Sequence, residues 1–526
     1  MKKIFLIGML FVCAGAWAIP ARRDGKMMRA ADGTEKMVYM HGNEDMHYLT
    51  DENGVWLDAS TLLPMSEAAK SEKLKVKSER AARRVAQQTG IDRLLAPKGP
   101  VILVNFSDTA FTHSKESMIE WATAEDFHED GATGSIREYF YDASFGQYNL
   151  QLDFYGPVTV SKSQAYYGQN DGNDNDMHPG EMVREACQLA HDSCGLDFSQ
   201  YDYNGDGDVD WVVVVYAGKG EADSYIENTI WPHQHLLSWT GNDITLDGKT
   251  IDRYCCTNEI DGTIGGRAGI GVFVHEFSHI LGLPDLYPTV KGANYKTLTN
   301  WDIMDYGVYN NDLKTPPMYS AYERWWMGWM EPTLLTEAAD VTLLELNASQ
   351  GAGYLTDNGI AVDNILSPYP SVFYMLENRQ QSGWDEYLPG HGLLITKVNY
   401  HYNWWRGNSV NNSENNMGVD IIEADGLTPD YDKKHRDNGY FGKQGDVYPY
   451  GTVTSFTQVT DYQLTEIAET NGEITFKLNG GGDPTVLSVE EAKKEQVATK
   501  ILRNGQVIIV RGNKEYTILG YENHQL

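Results

Sequence analysis

Apolar positions change their period several times along the chain. Pro100-Val-Ile-Leu-Val-Asn-Phe106 is a short apolar run closed by Ser-Asp, which predicts a buried strand. Trp211-Val-Val-Val-Val-Tyr216, rich in β-branched residues, predicts another. Between them Met182, Val183, Ala186, Leu189 and Ala190 recur near helical spacing over 180–191. Strands alternating with helices predict an α/β domain over 98–335. Farther on, 372–376, 392–395 and 474–478 read as strands joined by Gly/Asn/Asp-rich connections, a mostly β domain over 336–480. Gly480-Gly-Gly482 opens a linker, and the tail over 481–526 carries a strand, an Asn-Gly turn and a strand.

The first residues have a different character. Lys2 and Lys3, an apolar stretch from Ile4 to Gly15 and Ala16-Trp17-Ala18 have the order of a secretory signal peptide over 1–18. That stretch is short for a membrane span, and no later run reaches about 18 apolar residues, so no stable transmembrane anchor is expected. The expected location is secreted, extracellular or at the cell surface. Residues 19–97 hold 13 Lys/Arg and 12 Asp/Glu, whereas residues 98–526 carry 27 basic and 62 acidic residues. A basic, Ala-rich stretch over 66–88, with Arg83-Arg84, reads as an exposed helix or protease-accessible linker, and 19–97 as a propeptide. Residues 19–97 hold no cysteine, which excludes a thiolate as a latency device and leaves a carboxylate, a histidine or simple steric occlusion; Asp24 and Asp32 are the carboxylate candidates.

Charge narrows the class. A net charge of −32 argues against nucleic acid as a partner, because phosphate binding needs clustered Lys and Arg. Beyond the signal, Cys187, Cys194, Cys255 and Cys256 lack CxxC spacing, and a structural disulfide is the expected use.

The chemistry concentrates in His275-Glu-Phe-Ser-His-Ile-Leu-Gly-Leu-Pro-Asp-Leu-Tyr287. His275 and His279, four apart, share one helix face and offer two imidazoles to one metal ion. Glu276 is beside them as general base and later general acid. Catalytic zinc needs a third protein ligand and one open position. Gly282 permits a sharp turn, after which Asp285 returns a carboxylate; Glu323, on a helix expected over 318–329, is the rival.

This segment resembles the signature of the immune inhibitor A family of secreted metallopeptidases. Gly134-Ser-Ile-Arg-Glu-Tyr139, Ser144-Phe-Gly-Gln147, Ala217-Gly-Lys-Gly-Glu-Ala222, Ile230-Trp-Pro-His233, Ala321-Tyr-Glu-Arg324, Gly328-Trp329 and Leu376-Glu-Asn-Arg-Gln380 extend the likeness. The resemblance implies a metzincin-like zinc endopeptidase made as a zymogen, acting on protein or peptide substrates. It also implies that Trp301-Asp-Ile-Met-Asp-Tyr306 is a methionine turn, with Met304 beneath the metal and Tyr306 stabilising the oxyanion. Thr396-Lys397 departs from the family, which often has Trp-His there.

Asp202, Asn204, Asp206, Asp208 and Asp210 alternate with Gly205 and Gly207 like the opening of an EF-hand loop, which predicts structural calcium. Position twelve of such a loop is Val213, so a bidentate carboxylate would have to come from elsewhere. The tail from Lys500 to Gly520 resembles the C-terminal sorting domain read by the type IX secretion machinery of Bacteroidetes. A competing class is a surface protein- or carbohydrate-binding module dominated by the β domain.

Overall fold

The computed structural model describes residues 19–22, 25–43, 46–67, 69–70, 97–171, 175–290, 293, 295–427, 441–488, 499–503, 506–511 and 514–517. The expected signal peptide, Asp24 and nearly all of the basic stretch lie outside these residues.

The N-terminal segment folds as an antiparallel sheet of β1 (Lys26–Arg29), β2 (Glu35–Asn43), β3 (Met46–Asp51) and β4 (Trp56–Leu57), paired in that order. Val38, Met40, Leu49 and Leu57 are buried, but so are His41, His47 and Thr50. These buried polar positions blur the two-residue period that otherwise marks a strand.

The central sheet joins β5 (Lys98–Asn105), β6 (Gln151–Thr159), β7 (Val212–Lys219), β8 (His233–Leu236) and β11 (Arg253–Ile260) in the order β6-β5-β7-β11-β8. Its strands pair in parallel except for β8, the antiparallel edge. A small hairpin, β9 (Ile244–Leu246) and β10 (Lys249–Ile251), stands apart. The continuous apolar runs reflect burial on both faces. Ile102, Val104, Val212 and Val214 enter one core with the helix Pro179–Cys194. Val101, Leu103, Val213 and Val215 enter another with the helix Gly271–Ile280.

The strand-rich remainder has two further sheets. One runs β12 (Thr333–Leu334), β14 (Gly353–Leu355), β15 (Val372–Arg379), β16 (Gly392–Asn399), β17 (Val419–Ile421). The other is ordered β18-β19-β13-β20, from β13 (Ala339–Leu343), β18 (Leu464–Thr470), β19 (Glu473–Leu478) and β20 (Asp483–Leu487). β20 pairs in parallel with β13, so the residues just past the glycine linker belong to this sheet. β21 (Thr499–Arg503), β22 (Gln506–Arg511) and β23 (Lys514–Thr517) form an antiparallel three-stranded tail.

The expected disulfide is absent: Cys187, Cys194, Cys255 and Cys256 are all free. Cys255 and Cys256 are neighbours on β11 and enter opposite cores, while Cys187 packs inside its helix as a small apolar side chain. The helix expected over 318–329 is confined to Ala321–Trp326, capped by Ser320.

Candidate metal centre

All ten residues of the helix Gly271–Ile280 are buried, so it is a core element and not an amphipathic surface helix. At its start, a Cβ added to Gly271 would lie 2.3 Å from the Val308 carbonyl oxygen, so only glycine lets the two segments meet. At its end the Gly282 N–H donates to the His279 carbonyl at 3.0 Å, and the Leu283 N–H to the Ser278 carbonyl at 3.1 Å. This is the Schellman closure; it needs a left-handed residue, and Gly282 has φ +97°.

That closure orients a ring. His279 Nδ1 lies 2.8 Å from the Leu283 carbonyl oxygen, and His275 Nδ1 lies 2.8 Å from the Ile303 carbonyl oxygen. A carbonyl oxygen only accepts, so each neutral imidazole carries its proton on Nδ1 and presents the Nε2 lone pair. Burial lowers the His279 pKa, which favours that neutral form. The two Nε2 atoms are 3.2 Å apart, and Asp285 Oδ1 lies 3.2 Å from one and 3.3 Å from the other.

Three electron-rich atoms facing one another in a buried triangle repel unless a cation is among them. A tetrahedral ion with bonds of about 2.0–2.1 Å places neighbouring ligands about 3.3 Å apart. The residues therefore fit a zinc-sized ion. Among the described residues, these are the only three His, Cys, Asp or Glu side chains that converge so closely.

The other side chains singled out from sequence fall as follows. Glu276, fully buried, accepts a hydrogen bond at 2.8 Å from the backbone N–H of Ile19. Met304 is fully buried one residue after the carbonyl that orients His275. Tyr306 is buried in the next turn, its ring 4.8 Å from Lys296 Nζ. Glu323 is held by its own helix cap, accepting from the Ser320 N–H at 2.8 Å and the Ser320 hydroxyl at 3.0 Å. His233 sits between the Trp231 carbonyl oxygen and the Tyr254 hydroxyl, and burial pushes its pKa down to about 4.

In the acidic loop, Asp202 accepts from the Gly205 and Gly207 N–H groups and pairs with Lys249 Nζ. Asp206 accepts from the Asp208 N–H, Asn204 from the Asp206 N–H, and Asp210 from the Tyr203 N–H. Asp32 is exposed and accepts from the Thr34 N–H and hydroxyl.

One residue at the site escaped the sequence reading. Asn408, from the strand-rich region, accepts from the Asp285 N–H at 2.8 Å, and its Nδ2 donates to Asp285 Oδ2. A lone asparagine 123 positions downstream leaves no local pattern to read.

Comparison with known proteins agrees on the central region. Residues 98–330 match the family described as immune inhibitor A peptidase M6, catalytic domain. Pre-pro-metalloprotease PrtV of Vibrio cholerae serotype O1 (strain M66-2) is 31% identical over 230 residues, covering 38% of this chain and 24% of that protein. Immune inhibitor A of Bacillus thuringiensis subsp. alesti is 29% identical over 221 residues, covering 36% of this chain and 31% of that protein. The chain thus spans under a third of the length of these relatives. Residues 98–330 are thus similar to the catalytic domain of immune inhibitor A, or M6, metallopeptidases, which makes this chain a metallopeptidase.

Proposed function

We propose that the chain is an exported zinc endopeptidase that hydrolyses peptide bonds of extracellular proteins and is made as a zymogen. The observation that carries the reading is the buried triangle of His275 Nε2, His279 Nε2 and Asp285 Oδ1 with edges of 3.2–3.3 Å. These three residues would hold zinc, leaving an open coordination position for substrate. Bound there, zinc supplies Lewis acidity that polarises a carbonyl and lets water ionise near neutral pH. Glu276, one residue after His275 on the same helix, takes the proton of the attacking water and returns it to the departing amine nitrogen. Tyr306, following the turn at Met304, steadies the oxygen that gains negative charge. Helix, sharp turn and methionine turn together are the metzincin-like arrangement.

In this reading residues 1–18 direct export, 19–97 are removed on activation, and the tail engages type IX secretion machinery. Calcium is assigned to the loop from Asp202 to Asp210 on the spacing of its oxygens, with Lys249 displaced from Asp202. Casein digestion by the processed enzyme, with and without chelator, tests the main reading. Activity that survives full zinc removal overturns it, as does a zinc-loaded, processed protein that cleaves nothing.

A further inference from the structure

The segment Ile19-Pro-Ala-Arg22 is buried and begins beside Glu276. Ile19 and Ala21 are 1% and 0% exposed, and Arg22 is 5% exposed. The Ile19 N–H donates to Glu276 Oε1 at 2.8 Å. Trp231 Nε1 donates to the Ile19 carbonyl at 3.1 Å, and the Tyr309 hydroxyl to the Pro20 carbonyl at 2.6 Å. The Arg22 N–H donates to the Ala222 carbonyl at 3.0 Å, and the Tyr225 hydroxyl to the Arg22 carbonyl at 3.0 Å. The Arg22 guanidinium reaches Asp312 at 2.6 Å and Asp261 at 3.8 Å.

Polarity of the chain gives this arrangement a meaning. If Glu276 returns a proton to the departing amine, the nitrogen beside it marks where the new N-terminus of a product lies. Ile19 nitrogen occupies that place, and the chain runs from it towards Asp261 and Asp312. We infer that Ile19–Arg22 is a product-like occupant of the leaving half of the substrate cleft, and that Asp261 and Asp312 form a subsite for a basic residue. The inference rests on the proposed peptidase reading. It makes latency a matter of occupancy. It also assigns a substrate class: proteins with an aliphatic residue directly after the cleaved bond and Arg or Lys three positions farther on. The bond before Ile19 is the expected signal-peptide junction; its hydrolysis adds water, giving a carboxyl on Ala18 and an amine on Ile19. The nitrogen remains an N–H donor to Glu276 before and after.

The test uses the zinc-loaded full chain and the peptides Ile-Pro-Ala-Arg-Lys and Ile-Pro-Ala-Glu-Lys, each with fluorescein on the lysine, read by fluorescence anisotropy. The parent protein should capture neither, because its own segment is seated. Arg22→Glu should unseat that segment and capture the Arg peptide at least tenfold more tightly than the Glu peptide; the milder Arg22→Ala should show the same order. Adding Asp312→Ala to Arg22→Ala should erase the preference. Capture by the parent equal to that by the variants overturns the inference, as does equal or absent capture of both peptides by Arg22→Glu and Arg22→Ala. Capture needs no turnover. The expected capture pattern with no casein digestion after processing would therefore sink the peptidase reading alone, while digestion without selective capture would sink the subsite alone.

Discussion

Removing the Asn408 side chain should weaken zinc binding without touching a ligand. Asn408 is 1% exposed and makes two contacts with Asp285, accepting from its N–H at 2.8 Å and donating to Oδ2. Without them the carboxylate is free to swing away from the imidazoles, and loss of such an outer partner lowers metal affinity about 10–100-fold. That is about 1.4–2.8 kcal/mol of binding free energy. A second effect has to be separated from the first. Asn408 has φ +47°, a left-handed conformation that asparagine tolerates better than alanine. Asn408→Gly relieves that strain and Asn408→Ala does not, so the two variants should differ by about 1 kcal/mol in stability yet lose the same zinc affinity. The Asn408 carbonyl still accepts from the Thr289 hydroxyl at 2.6 Å in both, which keeps the loop anchored. Competition with a chelator of known affinity measures zinc, and thermal melting of the zinc-free forms measures stability. Parent-like zinc affinity in Asn408→Gly would refute the role given to this contact.

Other substitutions divide the site by role. Asp285→Ala should lose zinc and activity together, Glu276→Ala should keep zinc and lose turnover, and Glu323→Ala should keep zinc; metal analysis of purified variants checks all three. Saturating calcium should raise the melting temperature of chelator-treated protein, because an ion that binds only the folded form stabilises it; an unchanged melting curve removes the loop assignment. Half-buried Glu423 gives a pH test, since burial pushes its carboxyl up to about 8. The folded state then keeps a proton that the unfolded chain releases, so this group's contribution falls as pH rises from about 4.5 to about 8. Glu423→Gln should flatten that slope and melt higher than the parent above pH 8; identical pH profiles would contradict the raised carboxyl.

What could be read from the sequence was local. The runs feeding β5 and β7 are bounded and β-branched, so their periodicity survives without tertiary information. His275, Glu276, His279, Gly282 and Asp285 lie within eleven residues, and one helix with its cap sets their relation. The antiparallel sheet of the N-terminal segment was missed because buried His41, His47 and Thr50 break the apolar alternation. The disulfide expectation failed because count and spacing cannot show which face of a strand a cysteine takes. Asn408 and the hydrogen bonds of the Ile19 segment depend on contacts across the whole chain, and no spacing rule reaches that far.

The boundary near residue 335 separates patterns, not stabilities. The loop that delivers Asp285 is tied to residues from beyond it. Asn411 Nδ2 donates to the Leu286 carbonyl at 2.7 Å, and the Val290 N–H donates to Asn412 Oδ1 at 2.7 Å. Trp301 Nε1 donates to Asp446 at 2.8 Å, fixing the start of the turn that carries Met304. Buried Arg379 pairs with Asp385 at 2.8 Å and donates to the Met318 carbonyl, while Glu377 accepts from the Ala321 N–H at the start of the short helix. Cutting the chain here would strand buried polar groups on both sides, each at a cost of about 1–3 kcal/mol. The apolar core leads to the same conclusion, since Phe273 and Met304 share one cluster with Phe373, Leu394 and Val447. The smallest unit able to hold the metal triangle therefore extends past residue 330, where the family match stops. The strand-rich region is part of the metal centre's support, which argues against a separate binding module in which the β domain dominates.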